Sequence, residues 1–100
     1  MVIDSVTEKN PKDLNGWTPL HFAAKNGSEE IAQMTLLAVE DKNPKDNLGN
    51  TPLHYAALWG HQGICKMILD VVEDKKPKNK FGQTPLYYAK KGCNRLWEFY

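Results

Sequence analysis

Residues 51 to 65, TPLHYAALWGHQGIC, hold four side chains capable of chemistry: His54, Trp59, His61 and Cys65. His61 and Cys65 stand four apart, a spacing that on a helix brings two ligands to one side. A zinc site takes four such ligands, or three with an open position. No C-x-x-C or H-x-x-x-H accompanies the pair, so no metal is expected, and no cofactor either. A histidine paired with an acid or a thiol could serve as a general base. Yet the chain has no Gly-rich phosphate loop, no G-x-S-x-G and no H-E-x-x-H. Glu8, Asp41 and Asp74 recur at a fixed interval, which repetition explains better than a catalytic pair would. Catalysis is not expected.

The elements that carry these residues repeat. Thr18-Pro19-Leu20-His21, Thr51-Pro52-Leu53-His54 and Thr84-Pro85-Leu86-Tyr87 recur every 33 residues, and Val6, Val39 and Val72 head matching loops. In each unit Thr followed by Pro is a helix start, because the hydroxyl can accept from a free backbone N–H and proline has none to leave unpaired. His21 and His54 then fall at the third helical position, where the ring can reach back to the threonine. They read as structural, with Thr18, Thr51 and Thr84. Ala23-Ala24 and Ala56-Ala57 allow close helix approach. After a break at Asn26-Gly27 or Trp59-Gly60, a second helix carries Ile31, Ala32, Thr35 and Leu36, or Ile64, Cys65, Ile68 and Leu69, as one apolar stripe. Cys65 is therefore expected in the core, with His61 at a helix start. DLNG, DNLG and NKFG read as tight turns. No unit could bury its stripe without a neighbour.

Composition narrows the class. One hundred residues suit one domain. Thirteen basic and twelve acidic residues nearly cancel, so there is no global field to steer nucleic acid or an anionic membrane. Lys12, Lys45 and Lys78 form a ladder, but acids interrupt it in every loop, and a mixed-charge surface is expected rather than a nucleic-acid site. MVIDSV lacks the basic start and apolar run of a signal peptide, and no stretch is long and apolar enough to span a bilayer. Cys65 and Cys93 do not make a disulfide framework. Reduced thiols point to an intracellular protein, cytoplasmic or nuclear.

On TPLHFAAKNG, TPLHYAALWGH and the glycines Gly16, Gly49 and Gly82 before each TPL, the chain resembles the ankyrin repeat family. The resemblance spans essentially the whole chain. It implies an all-α solenoid of antiparallel helix pairs with short β-hairpin fingers, and a role in binding other proteins. The units would be 1–17 (partial), 18–50, 51–83 and 84–100 (partial or capping). Partners in the family meet the fingers and the exposed side of the first helices. Here that implies Leu14, Trp17, Asn47, Leu48, Asn50, Lys80, Phe81 and Gln83 on the fingers, and Leu58 and Trp59 at a helix end. Leu48 and Phe81 stand out as apolar residues in polar turns. A structural or regulatory segment of a larger protein, packing against its own chain, is the other reading.

Three departures from the family pattern carry expectations. Val6, Val39 and Val72 stand where the family has a left-handed glycine, so the second helices should end differently or run slightly longer. Tyr87 replaces the histidine and Lys90 the second alanine, as in a terminal repeat facing solvent. Met1, Met34, Met67 and Tyr100 share one register, so the chain is expected to be a segment of a longer array. Such phasing would let one chain's end stack on another's start, an open head-to-tail self-association.

Overall fold

The computed structural model describes residues 11–91. Residues 1 to 10 of the expected partial leading unit, with Val6 and Glu8, lie outside the described residues, as do Cys93 and Tyr100. Five helices follow one another: α1 Pro19–Asn26, α2 Glu29–Ala38, α3 Pro52–Trp59, α4 Gln62–Val71 and α5 Pro85–Lys91. The first helices α1, α3 and α5 stack side by side, α2 packs on α4, and α1 and α3 each pack on the second helix of their own unit. The fold is all-α and repetitive. Between the helices sit Leu20, Leu53, Ile64 and Ile68, all fully buried, with Ala23, Ala24, Ala56 and Ala57 keeping the backbones close. No helix among the described residues is long and apolar enough to cross a membrane.

Each of the first two TPLH segments does two jobs with one imidazole. The Thr18 backbone N–H donates to His21 Nδ1 at 3.0 Å, and the Thr18 hydroxyl lies 3.0 Å from the same nitrogen. Because Nδ1 accepts, the ring proton sits on Nε2, which donates to the Asn50 carbonyl at 2.9 Å. His54 repeats the arrangement, from Thr51 at 3.0 Å to the Gln83 carbonyl at 2.8 Å. One ring thus caps its own helix and holds the loop of the next unit. Both histidines are held below the ordinary histidine pKa, chiefly by burial, although the carbonyl bond and the Asp46 carboxylate pull the other way. In the third unit Thr84 Oγ1 accepts from the Tyr87 N–H at 3.3 Å, while the Tyr87 ring turns outward and is 44% exposed.

The second helices end differently from the family pattern, as their valines require. Val39 and Val72 are extended, with φ of −105° and −96°, and both are buried. Their carbonyls accept the amines of Lys42 and Lys75, the latter at 2.9 Å. Lysine placed there meets the negative end of the helix dipole. A helix stop without a left-handed residue results.

The fingers are turns. Among the described residues there is no β-strand, so the expected β-hairpins are not formed as ladders. In each finger the N–H of Asp13, Asp46 or Asn79 bonds the carbonyl four residues on, and the glycine N–H bonds back to the carbonyl of that same Asp or Asn. The chain enters the next helix before a second rung can form. Adjacent fingers are joined by Asn47 N–H to the Asn15 carbonyl (2.9 Å) and Lys80 N–H to the Leu48 carbonyl (3.0 Å). Lys12 and Lys45 extend their amines to the carbonyls of Lys45 and Lys78, at 3.0 and 3.3 Å. The lysine ladder is thus partly a set of staples between fingers.

Two consequences can be measured. Folded His21 and His54 are neutral and bind protons less readily than unfolded histidine. Their stabilisation is therefore fully present above the unfolded value near 6.5 and is lost as pH falls toward their lowered folded values. Denaturant midpoints should drop between pH 7.5 and 5.5, with a slope of up to about 1.4 kcal/mol per pH unit for each histidine. The slope should flatten in His54→Ala, and an unchanged slope would remove this assignment. The second test compares glycines. Gly49 and Gly82 have φ of +83° and +75°, but a Cβ at Gly49 would meet the Lys80 nitrogen at 2.8 Å whereas at Gly82 it meets nothing within 4 Å. Gly82→Ala should cost only the left-handed penalty of about 1–2 kcal/mol. Gly49→Ala should cost visibly more in the same denaturation assay, because it also forces two fingers apart.

Candidate partner-binding face

A finger tip is held from beneath by one side chain. Asp13 Oδ1 accepts the N–H groups of Asn15 and Trp17 at 2.9 and 2.8 Å. Asp46 Oδ1 does the same for Leu48 and Asn50, and Asn79 Oδ1 for Phe81 and Gln83. The acceptor must be short, which is why Asp or Asn stands at these positions. The result is that Leu14, Leu48 and Phe81 project outward, 97%, 50% and 66% exposed. Asn47 and Lys80 are exposed beside them, and the Asn47 amide donates to the Leu14 carbonyl at 2.9 Å.

Asn50 does not belong on this surface, because it is buried. Its Nδ2 donates to the Tyr55 hydroxyl at 3.1 Å and its Oδ1 accepts from Asn79 Nδ2 at 2.9 Å. The Tyr55 hydroxyl in turn donates to Asp46 Oδ2. Burial first, and the bond to Asp46 second, raise the Tyr55 pKa well above that of a free phenol. Asn79 Nδ2 also approaches Gln83 Oε1 at 2.9 Å and the Tyr88 hydroxyl at 3.1 Å. This continuous network fixes fingers to helices across two units. Its signal in the sequence is the matched spacing of Asp46 with Asn79 and of Tyr55 with Tyr88.

Gln83 is half-buried, its side chain partly spent on Asn79 and its carbonyl on His54. Trp17 is half-buried as well, with its ring centroid 4.9 Å from Phe22, 4.7 Å from Tyr55 and 5.8 Å from His21. It packs on its own helix and on the following one. Trp59 differs: it is 54% exposed. Leu58 is half-buried and lines a hollow of about 210 Å³ with Gln83, Tyr87, Tyr88 and Lys91. Larger hollows lie elsewhere. One of about 530 Å³ sits between Trp17, Phe22 and Ile31, and one of about 450 Å³ lies between α2 and α4.

The possible ligands go separate ways. Cys65 is buried, and burial pushes its thiol up to about 12, which removes the thiolate needed for nucleophilic attack. His61 starts α4 and its Nε2 lies 3.0 Å from the Lys25 carbonyl. Its ring rests against Gly27, where an added Cβ would come within 2.7 Å of it. His61 therefore joins two units, a role its register with Ser28 did not announce. Among the described residues no three His, Cys, Asp or Glu side chains converge as metal ligands.

A family description of ankyrin repeats in three copies matches residues 2–79. Comparison with curated protein sequences gave no match. With the 33-residue period, the TPLH helix starts and the stacked helix pairs already described, that match assigns the chain to the ankyrin repeat family.

Proposed function

We propose that this chain is a non-catalytic protein-binding module whose contact face is made of the finger tips and the adjoining ends of the first helices. Ankyrin repeats generally mediate protein–protein interaction. The observation that carries the assignment of this particular face is the exposure of Leu48, Trp59 and Phe81. Leu48 and Phe81 stand on turns whose backbone is held by Asp46 and Asn79. Large apolar groups fixed at a surface are the material of interface hot spots. Because the turns are already ordered, little conformational entropy remains to be lost on docking. Leu14, Asn47, Leu58 and Lys80 flank this set. Trp17 and Gln83 contribute edges rather than whole side chains, and Asn50 contributes only support. The buried free thiol of Cys65 suits a reducing compartment, which supports an intracellular location.

The test is capture of partners from cell lysate by the wild-type chain and by Leu48→Ser, Trp59→Ala, Phe81→Ser together, with circular dichroism confirming that both fold. Three hot-spot truncations at roughly 1 kcal/mol or more each should together weaken capture about a hundredfold or more. Met34→Ser with Leu37→Ser, exposed on α2, should leave it intact. Equal capture by wild type and the triple variant would refute the assignment of the face.

A further inference from the structure

The near-zero net charge conceals a division between the two sides of the repeat stack. The first helices PLHFAAKN, PLHYAALW and PLYYAKK contain no Asp or Glu, and the first and third of them carry Lys25, Lys90 and Lys91. Glu29, Glu30 and Asp70 lie on the second helices with Lys66, and Glu40, Asp41, Glu73 and Asp74 follow them with Lys42, Lys75 and Lys76, so acids outnumber lysines on that side. The finger carboxylates are committed: Asp13 and Asp46 each accept two backbone N–H groups, and Asp46 also takes the Tyr55 hydroxyl. In the third finger the position is an amide, Asn79. On this side Lys25 lies over the Trp17 ring at 5.9 Å and Lys91 over the Tyr87 ring at 5.8 Å. Lys80 occupies the third finger tip next to Phe81.

The hollow between α3 and α5 joins this cationic edge to an apolar floor. Leu58, Tyr87 and Tyr88 line it, with Lys91 and Gln83 among its other residues. At about 210 Å³ it falls below the roughly 300–1,000 Å³ of small-molecule sites and suits a single large side chain. Resting on the proposed partner-binding role, we infer that this end of the face takes an acidic protein segment bearing a bulky aliphatic or aromatic anchor. The anchor enters the hollow between Leu58 and Tyr87, and the flanking carboxylates meet Lys91 and Lys80. Phosphate backbones fit less well. The described residues contain no arginine to grip phosphate bidentately. Lys12 and Lys45 spend their amines on neighbouring carbonyls.

Selection of a random peptide display library against the full chain tests this. Enriched peptides should be acidic around one or two Leu, Trp or Phe residues. Lys80→Glu with Lys91→Glu should weaken them roughly tenfold, equivalent to about 1.4 kcal/mol, and peptides with the acids exchanged for lysine should regain binding to that variant. Lys66→Glu, exposed on α4, should change affinity little. Enrichment of neutral or basic peptides, no enrichment at all, equal weakening by Lys66→Glu, or displacement of the peptides by a single-stranded oligonucleotide would each overturn the inference. Peptides that need Leu48, Trp59 and Phe81 but show no charge preference would overturn it while leaving the proposed face standing. Acidic peptides indifferent to those three residues would overturn the face itself.

Discussion

The structure depends on a neutral imidazole held between two backbones. His21 and His54 each accept from the N–H that opens their own helix and donate to a carbonyl in the following loop. Both ring nitrogens are satisfied, so burial costs only the charged form. The neutral ring carries one acceptor and one donor on a single rigid plane. Fixing that plane sets the distance from helix start to next finger, and hence the pitch of the stack. Where no such loop follows among the described residues, position 87 is a tyrosine whose ring faces outward.

Around this bond, polar groups do much of the work usually left to a core. The buried apolar set is rich in alanine, and small residues bury little area each. The finger side compensates with a chain of contacts from Asp46 through Tyr55 and Asn50 to Asn79 and Tyr88. Such a network adds to stability only when its members are satisfied. Among the described residues, the one buried polar side-chain atom without a partner is Asn43 Oδ1. Asn43 is also a junction between units, since its Nδ2 donates to the Asp74 carbonyl at 3.0 Å.

Most of the fold was legible in the sequence because its signals are local. TPLH specified helix starts, the alanine pairs specified close approach, and the Ile-Cys and Ile-Leu pairs of α4 specified its buried stripe. The same reasoning worked less well for α2, whose Ile31 is 50% exposed although its counterpart Ile64 is fully buried. Periodicity assigns a face to a helix but not a neighbour to the face. Asn50 was misplaced for a related reason: a finger position reads as surface until the facing tyrosine and the next finger's amide are known. Trp17 and Trp59 were indistinguishable by type, and only packing separated them. The uneven distribution of charge between first and second helices was hidden by the net total, which averages over both sides of the stack.

The bonds joining one unit to the next span similar lengths of chain, from 29 residues for His21 to Asn50 to 36 for His61 to Lys25. Contacts of nearly uniform reach make the contact order a property of the repeat rather than of the whole molecule. Each unit therefore closes against its neighbour at about the same entropic cost. Adding or removing a unit changes the number of such closures, not their length. Folding and fraying then proceed as in a zipper, stepwise from an edge, and a disturbance in one finger fades after the next.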